Sequence, residues 1–336
     1  MTARGRGRAP RPPPPFPRGG PPPAAHLGAE RCSARGIELQ GRGELEAAAR
    51  AYGEALAHEP WHLRALNNLA LTLRARGLRV AAAACFRRGL AYEPDDTALL
   101  GNLGNTLREL GELEAAVAVQ HRAIALAPQS PEAHLNLGLT LRDLGHLAEA
   151  VLCFEQVLRL KPGQPQAAWE LTVTRLTEGD YAQGFAGLEQ RWRLREARRP
   201  HPGIPAWQGE PLAGKRVLLF NEQPFGDGIL FARFAQYLRP LGATQVALEV
   251  ERPLARLCWT LPGVDRVVIR GEALPPADYA CSLLSLPGLL GLGPEGVASP
   301  PYLKAPAVGR SPLARPPGTR LAGGFCWAGR ATHQND

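Results

Sequence analysis

The chain has 336 residues, 45% of them apolar and 21% charged, enough apolar material for two cores of ordinary domain size. Its formal charge of +8 does not describe a nucleic-acid-binding surface, because five arginines and no acidic residue lie in residues 1–27, leaving +3 for the rest. Six scattered cysteines without a CxxC pair suit neither a zinc ribbon nor a disulfide scaffold, and no run reaches the ~18 apolar residues of a membrane span. The histidines are read as offering no metal constellation. A reducing compartment, hence the cytoplasm, is expected.

Residues 1–28 open the chain with a proline- and arginine-rich stretch, "RAPRPPPPFPRGGPPPAA". It lacks the apolar core of a signal peptide and cannot bury enough surface to offset its ordering entropy. A disordered tail is expected there.

A period of 34 follows. Gly43, Gly77, Gly111, Gly145 and Gly179 recur at that interval, as do Pro60, Pro94, Pro128 and Pro162. Ala48, Ala82, Ala116 and Ala150 keep the same phase, with Tyr52, Phe86 and Phe154 four residues on and Gln120 as the one lapse. Each unit reads as two amphipathic helices joined at a glycine suited to a left-handed C-cap, with a proline ending the second helix. Small residues at Ala70, Gly104 and Gly138 allow close helix crossing. These columns resemble the tetratricopeptide-repeat (TPR) family, with units at 29–62, 63–96, 97–130 and 131–164 and a degenerate capping unit at 165–197. A single unit cannot bury its own apolar face, so the expected fold of 29–197 is an α-solenoid with a concave groove.

Asn68, Asn102 and Asn136 form another column of that period. Each carboxamide offers a donor and an acceptor, so a ladder of them can grip an extended peptide by its backbone. The column resembles the ladder in the TPR half of O-GlcNAc transferase. Asparagine is also the common residue at this position of such repeats, so dedicated peptide binding and consensus usage both stay open.

The helical period ends after Gly179. Tyr181, Phe185, Leu188 and Trp192 are expected to close the last apolar face, and the arginines from Arg191 to Arg199 to lie on a solvated helix end. Residues 198–214, rich in proline and glycine, read as an irregular linker. Four short strands are expected at 215–220, 244–250, 265–270 and 277–283, with helices at 228–240 and 252–260. That alternation predicts a parallel, Rossmann-like α/β lobe over 215–317.

The first βα loop, "NEQPFGDG", lies where such sheets bind ligands. It is a poor dinucleotide loop, having only Gly226 and Gly228 of the glycine fingerprint, and it lacks the Gly-Lys-Ser/Thr of a P-loop. Together with "GDYAQGFAGLEQRW", "LPGVDRVVIRGE", "SLLSLPGLLG" and "FCWAGRATHQND", it resembles TPR proteins carrying a heptosyltransferase-like GT-B glycosyltransferase. The resemblance implies a metal-independent, inverting transfer from a nucleotide-sugar to a glycan or protein acceptor. By it, Asp227 is the candidate base, and Glu222, Gln223, Gly226 and Arg233 are candidate substrate contacts. His333, Asn335 and Asp336 would rim the donor. The family's usual Glu-Gln-Gly-Leu-Gly-Asp has proline here at Pro224. From residue type alone, Asp227 reads as the N-cap of the following helix, and Arg233 as lying on a solvated face. Residues 318–336 are expected to begin a second, truncated lobe, so the chain is expected to lack most of a donor site. The rival expectation is a non-catalytic TPR adaptor.

Overall fold

The computed structural model describes residues 23–194, 199–222, 225–293, 296 and 302–303. It divides into a helical unit, which runs to Gly203 and takes in the segment from Leu284, and an α/β unit over Ile204–Leu283 with Tyr302 and Leu303.

The helical unit is a series of antiparallel pairs: α1 (Pro23–Gly41) with α2 (Leu45–His58), α3 (Leu63–Ala75) with α4 (Arg79–Tyr92), and α5 (Thr97–Glu109) with α6 (Leu113–Leu126). They continue with α7 (Pro131–Asp143) and α8 (Leu147–Leu160), then α9 (Pro165–Glu178) and the short α10 (Tyr181–Gly187). The glycine at each turn is left-handed, from φ 77° at Gly111 to 96° at Gly179, and a side chain at Gly111 would meet open space. The cost of replacing it is therefore that of the backbone alone. The second helices stop two residues before each proline of the column, at His58, Tyr92, Leu126 and Leu160. Two residues after the first three of these prolines, a side chain caps the next helix, whereas Gln164 makes no such bond. His62 accepts from Ala65 N at 3.1 Å, Asp96 from Leu99 N at 2.9 Å and Ser130 from Ala133 N at 3.3 Å.

Within each pair the helices cross closely, because one contributes a small residue and the other a large one. A Cβ on Gly138 would lie 2.7 Å from the Phe154 ring, and one on Gly36 would lie 2.5 Å from the Tyr52 ring. Ala70 and Phe86 are both fully buried in the next pair's core. Gly104 faces Gln120, whose carboxamide is 1% exposed and has neither its oxygen nor its nitrogen hydrogen-bonded. The lapse in the aromatic column is thus an unsatisfied polar group in the core.

Three differences from the sequence expectations appear in this unit. Helix α1 starts at Pro23, inside the stretch assigned to the tail, whose residues 1–22 lie outside the described residues. Arg191 is buried rather than solvated: it donates to Leu188 O at 2.7 Å, Glu189 at 3.1 Å and Ser285 at 2.9 Å, and stacks on Trp192. The segment carrying α13 (Leu286–Leu289) packs on α10, with Gly288 so close to the Phe185 carbonyl that no Cβ fits.

The α/β unit is a parallel four-stranded sheet in the order β3-β2-β1-β4. Its strands are β1 (Arg216–Phe220), β2 (Gln245–Val250), β3 (Arg266–Ile269) and β4 (Tyr279–Ser282). The central strands read as continuous apolar runs because both faces are covered, Val217, Leu218, Val246 and Leu248 being almost fully buried. The helix expected over 228–240 is instead α11 (Phe225–Ala232) followed by a 3₁₀ turn over Arg233–Tyr237. Helix α12 (Arg252–Cys258) leads to β3, and β3 joins β4 without a helix. Residues 204–214 form no regular element yet are not a loose connector. Trp207 N donates to Ala280 O at 3.0 Å, Ala280 N donates to Pro205 O at 2.8 Å, and Trp207 and Leu212 are buried. Arg216 ties the start of β1 to the start of β4 by a forked pair with Asp278, Nε to Oδ2 at 3.1 Å and Nη2 to Oδ1 at 3.0 Å.

Two consequences can be measured. Gln120→Phe restores the aromatic column and removes the unsatisfied carboxamide, so urea unfolding followed by helical circular dichroism should show a gain of roughly 1–3 kcal/mol. The Arg216 guanidinium and backbone hold the Asp278 carboxyl down to about 2. Its stabilising contribution is therefore complete above pH ~4 and lost as pH falls toward 2. Asp278→Asn should lower the melting temperature at pH 7, with the difference shrinking to nothing by pH 2.

Candidate functional site

The first helices of successive pairs contact one another directly, α1 with α3, α3 with α5, α5 with α7 and α7 with α9, which places them on the inner curve of the stack. The asparagine column lies on these helices. Asn102 Nδ2 donates to Asn67 Oδ1 at 2.9 Å, and Asn67 Nδ2 in turn reaches Asn68 Oδ1 at 3.5 Å. Asn136 is only 8% exposed, and among the described residues its carboxamide has no hydrogen-bond partner. It shares with Asn102 the wall of a pocket of about 210 Å³ between α5, α6 and α7.

Two further columns frame it. Thr72, Thr106, Thr140 and Thr174 are fully buried, and each donates to the backbone carbonyl four residues earlier at 2.7–3.0 Å. In the units at 63–96, 97–130 and 131–164 that carbonyl belongs to the column asparagine, so the threonine satisfies the backbone and leaves the carboxamide to the groove. Arg74, Arg108 and Arg142 each reach an acid of the next unit: Glu109 at 3.9 Å, Asp143 at 2.9 Å and Glu170. Glu170 takes the asparagine's place in the last unit and ends the column with an ion pair.

The βα loop forms a separate candidate. Asp227 lies inside the first turn of α11, two residues past its start, and is not the N-cap. Burial pushes its carboxyl up, and the neighbouring Glu222 carboxylate pushes it further. Glu222 accepts a short hydrogen bond from the Ser282 hydroxyl at the end of β4. Asn221, buried at the end of β1, donates to Glu251 at 3.1 Å, and Arg270 pairs with Glu251 at 2.8 Å. Gly228 packs so tightly on Asn221 that a Cβ would sit 2.7 Å from its amide. Gly226 is exposed. Arg233, partly exposed, donates to Leu230 O at 2.8 Å and lies over the Tyr302 ring at 4.7 Å. Gln223, Pro224, His333, Asn335 and Asp336 lie outside the described residues.

One metal-like spacing also resolves structurally. His58-Glu59-Pro60-Trp61-His62 has the HExxH order, which binds zinc only when one helix carries both histidines. Here α2 ends at His58, and His62 caps α3 while its other nitrogen meets Glu30 at 3.2 Å. Among the described residues, no three His, Cys, Asp or Glu side chains gather as a metal would require.

Profiles described as TPR repeat and tetratricopeptide repeat match residues 33–80, 104–145 and 131–164. Residues 33–80 and 104–164 carry tetratricopeptide repeats. No curated protein matches the chain. Among solved structures, the MamA protein is similar at 22% identity over 52% of this chain and 98% of that one, with a TM-score of 0.45. PilW, a type IV pilus biogenesis factor, is similar at 21% over 51% and 79%, with 0.48. YrrB, a TPR protein with an unusual peptide-binding site, is similar at 23% over 50% and 86%, with 0.43. All three profile matches fall in the helical unit, and the resemblance of the α/β unit to a glycosyltransferase draws no support from them.

The threonine and arginine columns of the TPR unit keep the 34-residue period and were open to a reader of the sequence. They stand among polar residues that the search for apolar and glycine columns passes over.

Because the folded state raises the Asp227 carboxyl above its usual value near 3.8, stability falls as pH rises through that region, and the penalty is full at neutral pH. Asp227→Asn should therefore melt at a higher temperature than the wild type at pH 7, the two converging below pH ~4.

Proposed function

We propose that the chain is an adaptor whose TPR groove holds an extended peptide segment of a partner protein by its backbone. The observation that carries this reading is Asn136: a residue more than nine-tenths buried, whose carboxamide has no hydrogen-bond partner among the described residues and opens with Asn102 into one pocket. Leaving such a group dry costs ~1–3 kcal/mol, a penalty that a peptide N–H and C=O in register with it would remove. The arginines along the same helices each pair with an acid of the next repeat, which leaves the carboxamides to meet a peptide backbone. Asn68, Asn102 and Asn136→Ala together should weaken binding to an immobilised peptide array roughly tenfold or more, with helical circular dichroism unchanged. Undiminished binding would contradict the reading.

A second reading rests on Asp227. A half-buried carboxyl with raised proton affinity, at the carboxyl edge of a parallel sheet, suits a base that takes the proton from an acceptor hydroxyl attacking a sugar's anomeric carbon. A nucleotide-sugar would be the donor, and a glycan or protein the acceptor. Incubation with UDP-, GDP- and ADP-linked sugars discriminates between the readings. The adaptor reading expects no turnover, whereas turnover abolished by Asp227→Asn would establish the transferase.

A further inference from the structure

The pocket beside Asn136 has a composition of its own. Its walls are small and apolar, Ala98, Gly101, Ala123, Ala127 and Ala133, and its one formally charged lining residue is Glu132. Glu132 is exposed and makes no ion pair among the described residues. The same column reads Glu30, Arg64, Ala98, Glu132 and Gln166, and Arg64 is tied to Glu30 at 2.6 Å. One N–H of Asn102 is given to Asn67, its oxygen stays available as an acceptor, and Asn136 adds a second carboxamide oxygen. The first-turn N–H groups that could have drawn an anion are partly occupied, since Asp96 caps α5 and Ser130 caps α7. A site with a strip of small apolar residues, two carboxamide oxygens and one carboxylate without an ion pair fits an aliphatic stem carrying a cationic head.

We infer that this pocket selects a lysine or arginine side chain of the bound peptide, so that the groove reads basic extended segments in preference to acidic ones. The alanine walls take the methylene stem, and Glu132 with the Asn102 and Asn136 oxygens takes the head. The inference rests on the peptide-binding reading and adds the ligand's charge to it. Neutral peptides would still be held by the asparagines, and acidic ones would bring a second carboxylate against Glu132.

The test uses the full chain and degenerate nine-residue peptides whose central residue is fixed as Lys, Arg, Leu or Glu. Fluorescence polarisation should show the Lys and Arg sets binding roughly tenfold more tightly than the Glu set. The gap should narrow as salt is raised. Glu132→Gln should abolish the preference, bringing the Lys and Arg sets to the affinity of the Leu set, and Glu132→Lys should reverse it. Because Glu132 is exposed, both variants are expected to keep the wild-type melting temperature, which is checked first. Equal binding of all four sets overturns the inference yet leaves the backbone reading standing. A preference for basic peptides that survives Glu132→Gln also overturns it. Failure of every set to bind overturns the inference and the peptide-binding reading together.

Discussion

The close crossing of two helices within each repeat is the constraint on which the helical unit depends. It requires one side chain to be nearly absent, as at Gly36, Ala70, Gly104 and Gly138, and the facing one to fill the space, as Tyr52, Phe86 and Phe154 do. Helix axes can approach only as far as the residues at the crossing allow, and a Cβ at Gly138 would already overlap the Phe154 ring. Repeating this crossing every 34 residues gives successive pairs the same internal geometry. That shared geometry lets the inner helices turn single asparagines, threonines and arginines into ladders.

Those ladders divide the polar work of the inner face. Threonine hydroxyls satisfy the asparagine carbonyls, and acids of the following repeat neutralise the arginines. What remains is a set of carboxamides whose own needs are unevenly met. Asn102 is engaged by Asn67, and Asn136 is not engaged at all among the described residues. A buried amide left in this condition is costly unless a ligand or water completes it. This favours reading the groove as a binding surface over reading the column as repeat usage alone.

The repeat unit was legible because its period is long and its glycine, proline and alanine positions answer to backbone geometry rather than to distant contacts. Helix ends fell where Pro60, Pro94 and Pro128 and the capping residues two places later put them. The α/β unit was legible in its strands, each within two residues of the expected bounds, and less so in its connections. Asp227 reads as a cap when the helix is taken to start after the last glycine. A proline is well tolerated at a helix start, and Pro224 immediately before Phe225 was the available signal that α11 begins earlier. The packing of residues 204–214 was hidden because proline and glycine report local irregularity and say nothing about burial, although Trp207 in that stretch was a clue. The burial of Arg191 depends on Ser285, which lies 94 residues away in sequence, and no local pattern announces a contact of that kind.

The central claim is that a partner's peptide lies along the inner helices. It is tested most directly by photo-crosslinking a degenerate peptide library that carries benzoylphenylalanine to the full chain and mapping the adducts by mass spectrometry. The account predicts adducts concentrated in Leu63–Ala75, Thr97–Glu109 and Pro131–Asp143. Adducts concentrated instead on the outer helices α4, α6 and α8, or in Ile204–Leu283, would contradict it.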